Sequence, residues 1–100
     1  NGGTPMVSEG HCLIIPKRHV ETWFDMSKEE QAEAFDLIDQ VKALLDEQYA
    51  PDGYNIGMNC GETAGQTIPH AHIHVIPRYK GDMKNPRGGV RGVIPEKQSY

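Results

Sequence analysis

Between Lys28 and Tyr49 the apolar residues Ala34, Phe35, Ile38, Val41, Leu44 and Leu45 recur at intervals of three and four. That period lays them along one stripe of a helix and predicts their burial, with the charged residues between them turned to water. Ser27 and Glu30 stand in S-x-x-E spacing at its start, where each side chain can satisfy a free amide of the first turn. Pro51 and the Asp52-Gly53 pair stop the helix and turn the chain. Elsewhere the period changes. HCLIIP, from His11 to Pro16, is a short apolar run rich in β-branched isoleucine and ended by proline, which predicts a buried strand. YNIGMNC alternates, with Tyr54, Ile56, Met58 and Cys60 on one side and Asn55, Gly57 and Asn59 on the other, as a half-buried strand does. A third alternating run, residues 70 to 77, is bracketed by Pro69 and Pro77. The pattern as a whole predicts an α+β domain, an antiparallel sheet of strands near 11 to 16, 54 to 60 and 70 to 77 with one long helix across its apolar face.

The connections read less sharply. Residues 17 to 26 link the first strand to the helix, and Trp23 and Phe24 are expected to anchor a core edge there. GETAGQT, with its small residues, predicts a tight loop delivering the chain into the third strand. From Tyr79 onward Gly, Pro and Arg dominate, so residues 79 to 100 are expected to be an irregular extension that buries Val90, Val93 and Ile94 in places. No internal repeat is present.

Composition narrows the class. A chain of 100 residues, 37% hydrophobic and 24% charged, fits one small globular unit and is too apolar for a disordered segment. No apolar run of about 18 residues is available to cross a bilayer. The opening NGGTPMVSEG reads as a loop with neither a signal-peptide pattern nor an initiator methionine, so the chain is expected to be a trimmed piece of something longer. Cys12 and Cys60 are the only thiols and lack CxxC spacing. Two reduced, buried cysteines in a cytoplasmic setting are expected, with no structural metal. Seven acidic residues on the helix read as its wet face rather than as a paired-carboxylate catalyst.

The net charge of −4 conceals an asymmetry. Residues 1 to 77 carry four Lys/Arg against twelve Asp/Glu, and residues 78 to 100 carry six against two. An acidic body argues against duplex nucleic acid, which needs a basic face. A small phosphorylated ligand fits better, and Lys80, Lys84, Arg87 and Arg91 either fold over its distal phosphates or simply keep the terminus solvated.

The chemistry gathers in PHAHIHVIPR, Pro69 to Arg78. With five histidines in 100 residues, chance gives an HxHxH window about 1% of the time. On a strand His70, His72 and His74 share one face, with neighbouring rings roughly 6 to 7 Å apart, while Ala71, Ile73 and Val75 face the core. Three causes compete. Histidines merely satisfied on a sheet surface leave the repetition unexplained. A zinc site can use His-x-His, yet the third ligand is awkwardly placed and no ligand from another element is evident. The third cause is a nucleophilic imidazole with two attendants. A neutral imidazole attacks phosphorus through one lone pair when its other nitrogen is protonated and held by an acceptor. A neighbouring histidine can steady the phosphoryl oxygens, and amides of the GETAGQT loop can surround them.

GQTIPHAHIHVIPR, with GHCLIIPKRH upstream and GYNIGMNCG between, resembles the histidine triad (HIT) superfamily, in particular its diadenosine polyphosphate hydrolase and fragile histidine triad branch. The match runs from about Val7 to Pro77. The resemblance implies a HIT-like antiparallel sheet with its helix, forming one domain over residues 1 to 100 without the N-terminal strands that family members usually carry. It implies hydrolysis at the α-phosphorus of a dinucleoside polyphosphate or nucleoside phosphoramidate through a nucleotidyl-histidine. By position, His72 would be the nucleophile, His70 would orient it through its backbone carbonyl, and His74 would contact the phosphate and leaving group. His11 would buttress the triad, while Gln66, Thr67 and Asn59 would hold phosphate oxygens. His19 has no counterpart and reads as a surface or loop residue. A homodimer formed partly through the helix is implied. No cofactor is required, although magnesium would accompany a polyphosphate. Related nucleotidyltransferases have glutamine where this chain has His74, which favours water as acceptor. Two other classes stay open: a purine-nucleotide-binding module without turnover, and a protein that sequesters zinc or iron.

Overall fold

The computed structural model describes residues 6–100, so the first five residues of the expected N-terminal loop lie outside the described part. Three strands, β1 (Cys12–Ile14), β2 (Gly53–Gly57) and β3 (Ile73–Arg78), and one long helix, α1 (Lys28–Tyr49), carry the architecture. β3 is central and antiparallel to both neighbours, in the order β1-β3-β2. Cys12 faces Val75 and Ile14 faces Ile73 on one side; Tyr54 faces Pro77 and Gly57 faces His74 on the other. Alternation sends Ile73, Val75 and Pro77 into the interior and leaves His74, Ile76 and Arg78 on the opposite face. Ile14, Ala34, Leu45, Ile73 and Val75 form the buried centre, flanked by Trp23, Met26, Ile38 and Val41. The α+β class expected from the pattern is the one found.

The helix begins where its capping box predicts. The Ser27 hydroxyl accepts from the Glu30 amide at 3.1 Å, and the Glu30 carboxylate accepts from the Ser27 amide at 2.7 Å. Ala50 ends it in the left-handed region, φ 48°, with its amide donating to Asp46.

Several expectations need correction. Phe35 and Leu44 were expected in the buried stripe, but they are 59% and 65% exposed. At about 100° per residue, Ala34, Ile38, Val41 and Leu45 cluster within one narrow sector, and a three-stranded sheet covers only that sector. Phe35 and Leu44 fall roughly a quarter-turn to either side. The strands are also shorter than the alternation suggests. Before β3, the His70 amide donates to Ile68 and the Ala71 amide to Val20, so neither enters the ladder and only His74 of the triad is in a strand. Trp23 packs beside Phe35, whereas Phe24 is exposed. GETAGQT contains a 3-10 turn, Glu62–Ala64. The extension is more regular than expected, with 3-10 turns at Gly89–Val93 and Pro95–Lys97, yet Val90, Val93 and Ile94 are exposed. It is held by polar contacts: the Arg91 guanidinium donates to the carbonyls of Lys97 and Gln98 and lies over the Tyr100 ring.

Candidate active site

His72 stands one residue before β3, and its Nδ1 lies 2.8 Å from the carbonyl oxygen of His70. A carbonyl only accepts, so Nδ1 carries the proton and, in the neutral ring, the lone pair sits on Nε2. The His70 carbonyl is itself placed by a backbone frame. His70 Nε2 donates to the Pro16 carbonyl at 3.0 Å, and the next amide, Ala71, donates to Val20 at 2.7 Å. The segment after β1 thus fixes the residues on which His72 leans.

Gln66 ties the preceding loop to the same frame. Its amide oxygen accepts from the Gly61 amide at 2.8 Å, and its nitrogen donates to Glu21 at 2.6 Å and Ile68 at 3.0 Å. Both amide hydrogens are thereby committed, so contact with a phosphate would require Gln66 to give up a carbonyl. Thr67 is exposed on this loop, and Asn59 lines the same cavity as His72.

His74 sits beside His72, ring centres 5.0 Å apart and edge to face, closer than an ideal strand spacing gives because His72 precedes the strand. Gly57 faces it across the ladder, and an added Cβ there would meet nothing within 4 Å, which leaves room beside the imidazole. Behind it, His11 Nε2 lies 2.9 Å from His74 Nδ1, and His11 Nδ1 accepts from the Val7 amide at 3.0 Å. Gly10 makes this placement feasible: it adopts φ +88°, and a Cβ there would come within 2.9 Å of the Tyr49 ring. Burial holds the pKa of His11 below the ordinary histidine value. Burial first, then the nearby His72 and His11, does the same for His74.

A cavity of about 390 Å³ opens beside His72, walled by Ile14, Trp23, Met26, Leu37 and Met58. Its size and apolar lining are those of a small-molecule site. Among the described residues no cluster of His, Cys, Asp and Glu is arranged to hold a metal ion.

Known proteins resemble the chain in sequence and in fold. The sequence model of the family described as "HIT domain" matches residues 5–81. The chain belongs to the HIT family. "Protein hit" of Bacillus subtilis is 39% identical over 77 residues, covering 76% of this chain and 53% of that protein. Bis(5'-adenosyl)-triphosphatase of Dictyostelium discoideum is 38% identical over 79 residues, covering 79% and 53%. The crystal structure of the C. elegans NitFhit protein superimposes with a TM-score of 0.76 at 36% identity, over 89% of this chain and 21% of that one. The HIT chain spans about half the length, or less, of the curated relatives it matches.

The structure therefore brings His11, His70, His72 and His74 into one contiguous group, with Asn59 beside it. It adds His19, whose ring meets His70 edge-on at 4.9 Å although it was read as a surface residue; it is indeed exposed. The carbonyls of Pro16, Val20 and Glu21 and the amide of Val7 also take part, and main-chain groups leave no residue signature. The PKRH string, next to an apolar strand, was the available hint for His19.

Proposed function

We propose that this HIT domain hydrolyses nucleoside phosphate derivatives at the α-phosphorus through a nucleotidyl-His72 intermediate. The observation that carries the reading is the 2.8 Å bond from His72 Nδ1 to the His70 carbonyl, which leaves the Nε2 lone pair for attack. Nε2 forms a bond to phosphorus while the leaving oxygen departs with its electron pair. Water then displaces the histidine, its oxygen bonding to phosphorus and one proton passing to solvent as the N–P electrons return to Nε2. The names of relatives such as the bis(5'-adenosyl)-triphosphatase support a dinucleoside polyphosphate as the first substrate to assay, with a nucleoside phosphoramidate as the second. The base and sugar occupy the apolar cavity, and Asn59, Thr67 and the loop amides meet the phosphate. No cofactor takes part, and magnesium accompanies a polyphosphate. The protein works as a homodimer formed partly through α1, which exposes Phe35 on one side and Leu44 on the other, and in a reducing, cytoplasmic setting consistent with free Cys12 and Cys60.

A panel of adenylated compounds assayed with wild type and His72→Ala tests this. Wild type releases the nucleoside monophosphate, and His72→Ala lowers kcat by roughly 10³-fold or more. Tight nucleotide binding without turnover in wild type would instead make the domain a sensing module.

A further inference from the structure

Amides and imidazoles differ in what they can exchange, and that difference orders the row Val7, His11, His74. A backbone N–H can only donate. His11 Nδ1, 3.0 Å from the Val7 nitrogen, must therefore present its lone pair, and the ring's proton sits on Nε2. That Nε2 lies 2.9 Å from His74 Nδ1, which must in turn accept, so the His74 proton sits on Nε2. Protonating either ring at its remaining nitrogen sets two donors against each other, His74 Nδ1–H against His11 Nε2–H, or His11 Nδ1–H against the Val7 amide. Burial disfavours the charged form of both rings in the same direction. No protein group among the described residues accepts from His74 Nε2, and that nitrogen lies on the ring next to His72.

We propose that the Val7 amide and His11 lock His74 as a neutral donor, so that it stabilises the departing oxygen by a hydrogen bond and transfers no proton to it. The inference rests on the nucleotidyl-His72 reading and assigns the leaving-group end of that site. The leaving oxygen takes both electrons of the P–O bond and departs as an anion, and His74 keeps its Nε2 proton throughout. This suits a phosphate leaving group, which is stable as an anion near neutrality. His11 touches no substrate and is a positioning residue, as is the main chain at Val7.

Two measurements test the lock. Long-range ¹H–¹⁵N correlation spectra of wild type near neutral pH read the tautomers directly. The expected result is His11 and His74 both neutral and protonated on Nε2, with His72 protonated on Nδ1. A His74 ring that is cationic, or protonated on Nδ1, overturns the proposal without any variant having to fold. The second measurement is kcat/KM for α-adenylated substrates whose leaving groups span a range of pKa, in wild type, His74→Gln and His74→Ala. Glutamine offers an N–H at similar reach but no exchangeable acid. His74→Gln is expected within about tenfold of wild type with an unchanged leaving-group slope, and His74→Ala to lose about 10²-fold. A slope that steepens in His74→Gln means a proton was being transferred, and the lock fails. Absence of turnover in wild type would count against the hydrolase reading alone, because the spectra still decide for or against the lock.

Discussion

His11 and His74 are held neutral by burial, and this makes folding sensitive to mild acid. Both have pKa values lowered from the ordinary 6.5. On unfolding they regain the ordinary value, so as the pH falls the unfolded chain takes up protons before the folded one. Their contribution to stability is complete above 6.5 and is lost as the pH drops through the lowered folded values. The carboxylates of Glu30, bonded to Arg18 and Ser27, and Asp82, bonded to Arg78, are held down at about 2, so their windows open only in stronger acid. Thermal melts should show Tm declining between neutrality and pH ~5. His74→Gln should flatten that decline, and a wild-type Tm that stays level across it would contradict the assignment. The triad was legible because chance seldom sets three histidines at alternate positions, although only His74 of the three stands in the strand. The lock was not, since its key donor is the amide of Val7, where any residue but proline would serve.

Among the elements, α1 shows how far local signals reach. Its capping box and its spacing placed both ends where they are found, because caps and periodicity are properties of the segment itself. How much of the stripe is covered depends on the width of the sheet beneath, which no local pattern encodes, and Phe35 and Leu44 were misjudged for that reason. The C-terminal end carries a defect that can be repaired. Ala50 adopts the left-handed conformation that glycine adopts without steric penalty. Ala50→Gly should stabilise the protein by about 1 kcal/mol, read as a raised denaturation midpoint at constant m-value. An unchanged or lowered midpoint would mean that the strain is relieved elsewhere.

At the scale of the whole molecule, the chemistry sits on one side of the central strand and the core on the other. β3 carries His74 outward and Val75 inward, and the segment after β1 reaches across to hold His70 and Ala71. The strand order places β1 and β2 on either side of β3, so His11, before β1, and Gly57, at the end of β2, converge on His74. The apolar residues left uncovered on α1 lead to an oligomeric expectation. Sedimentation should give twice the mass of a single chain, and Phe35→Lys with Leu44→Lys should shift it toward the single chain. A monomeric wild type would remove the dimer from the account. The basic extension was legible as charge but not as structure. Arg91 is engaged by the carbonyls of Lys97 and Gln98 rather than directed at the triad.

The most direct test of the central claim is mass spectrometry of the protein mixed with a dinucleoside polyphosphate and quenched in alkali, where phosphoramidates survive. An adduct of one nucleoside monophosphate on His72, lost in His72→Ala, is the predicted result. Turnover without any adduct on His72, or an adduct on another residue, would contradict it.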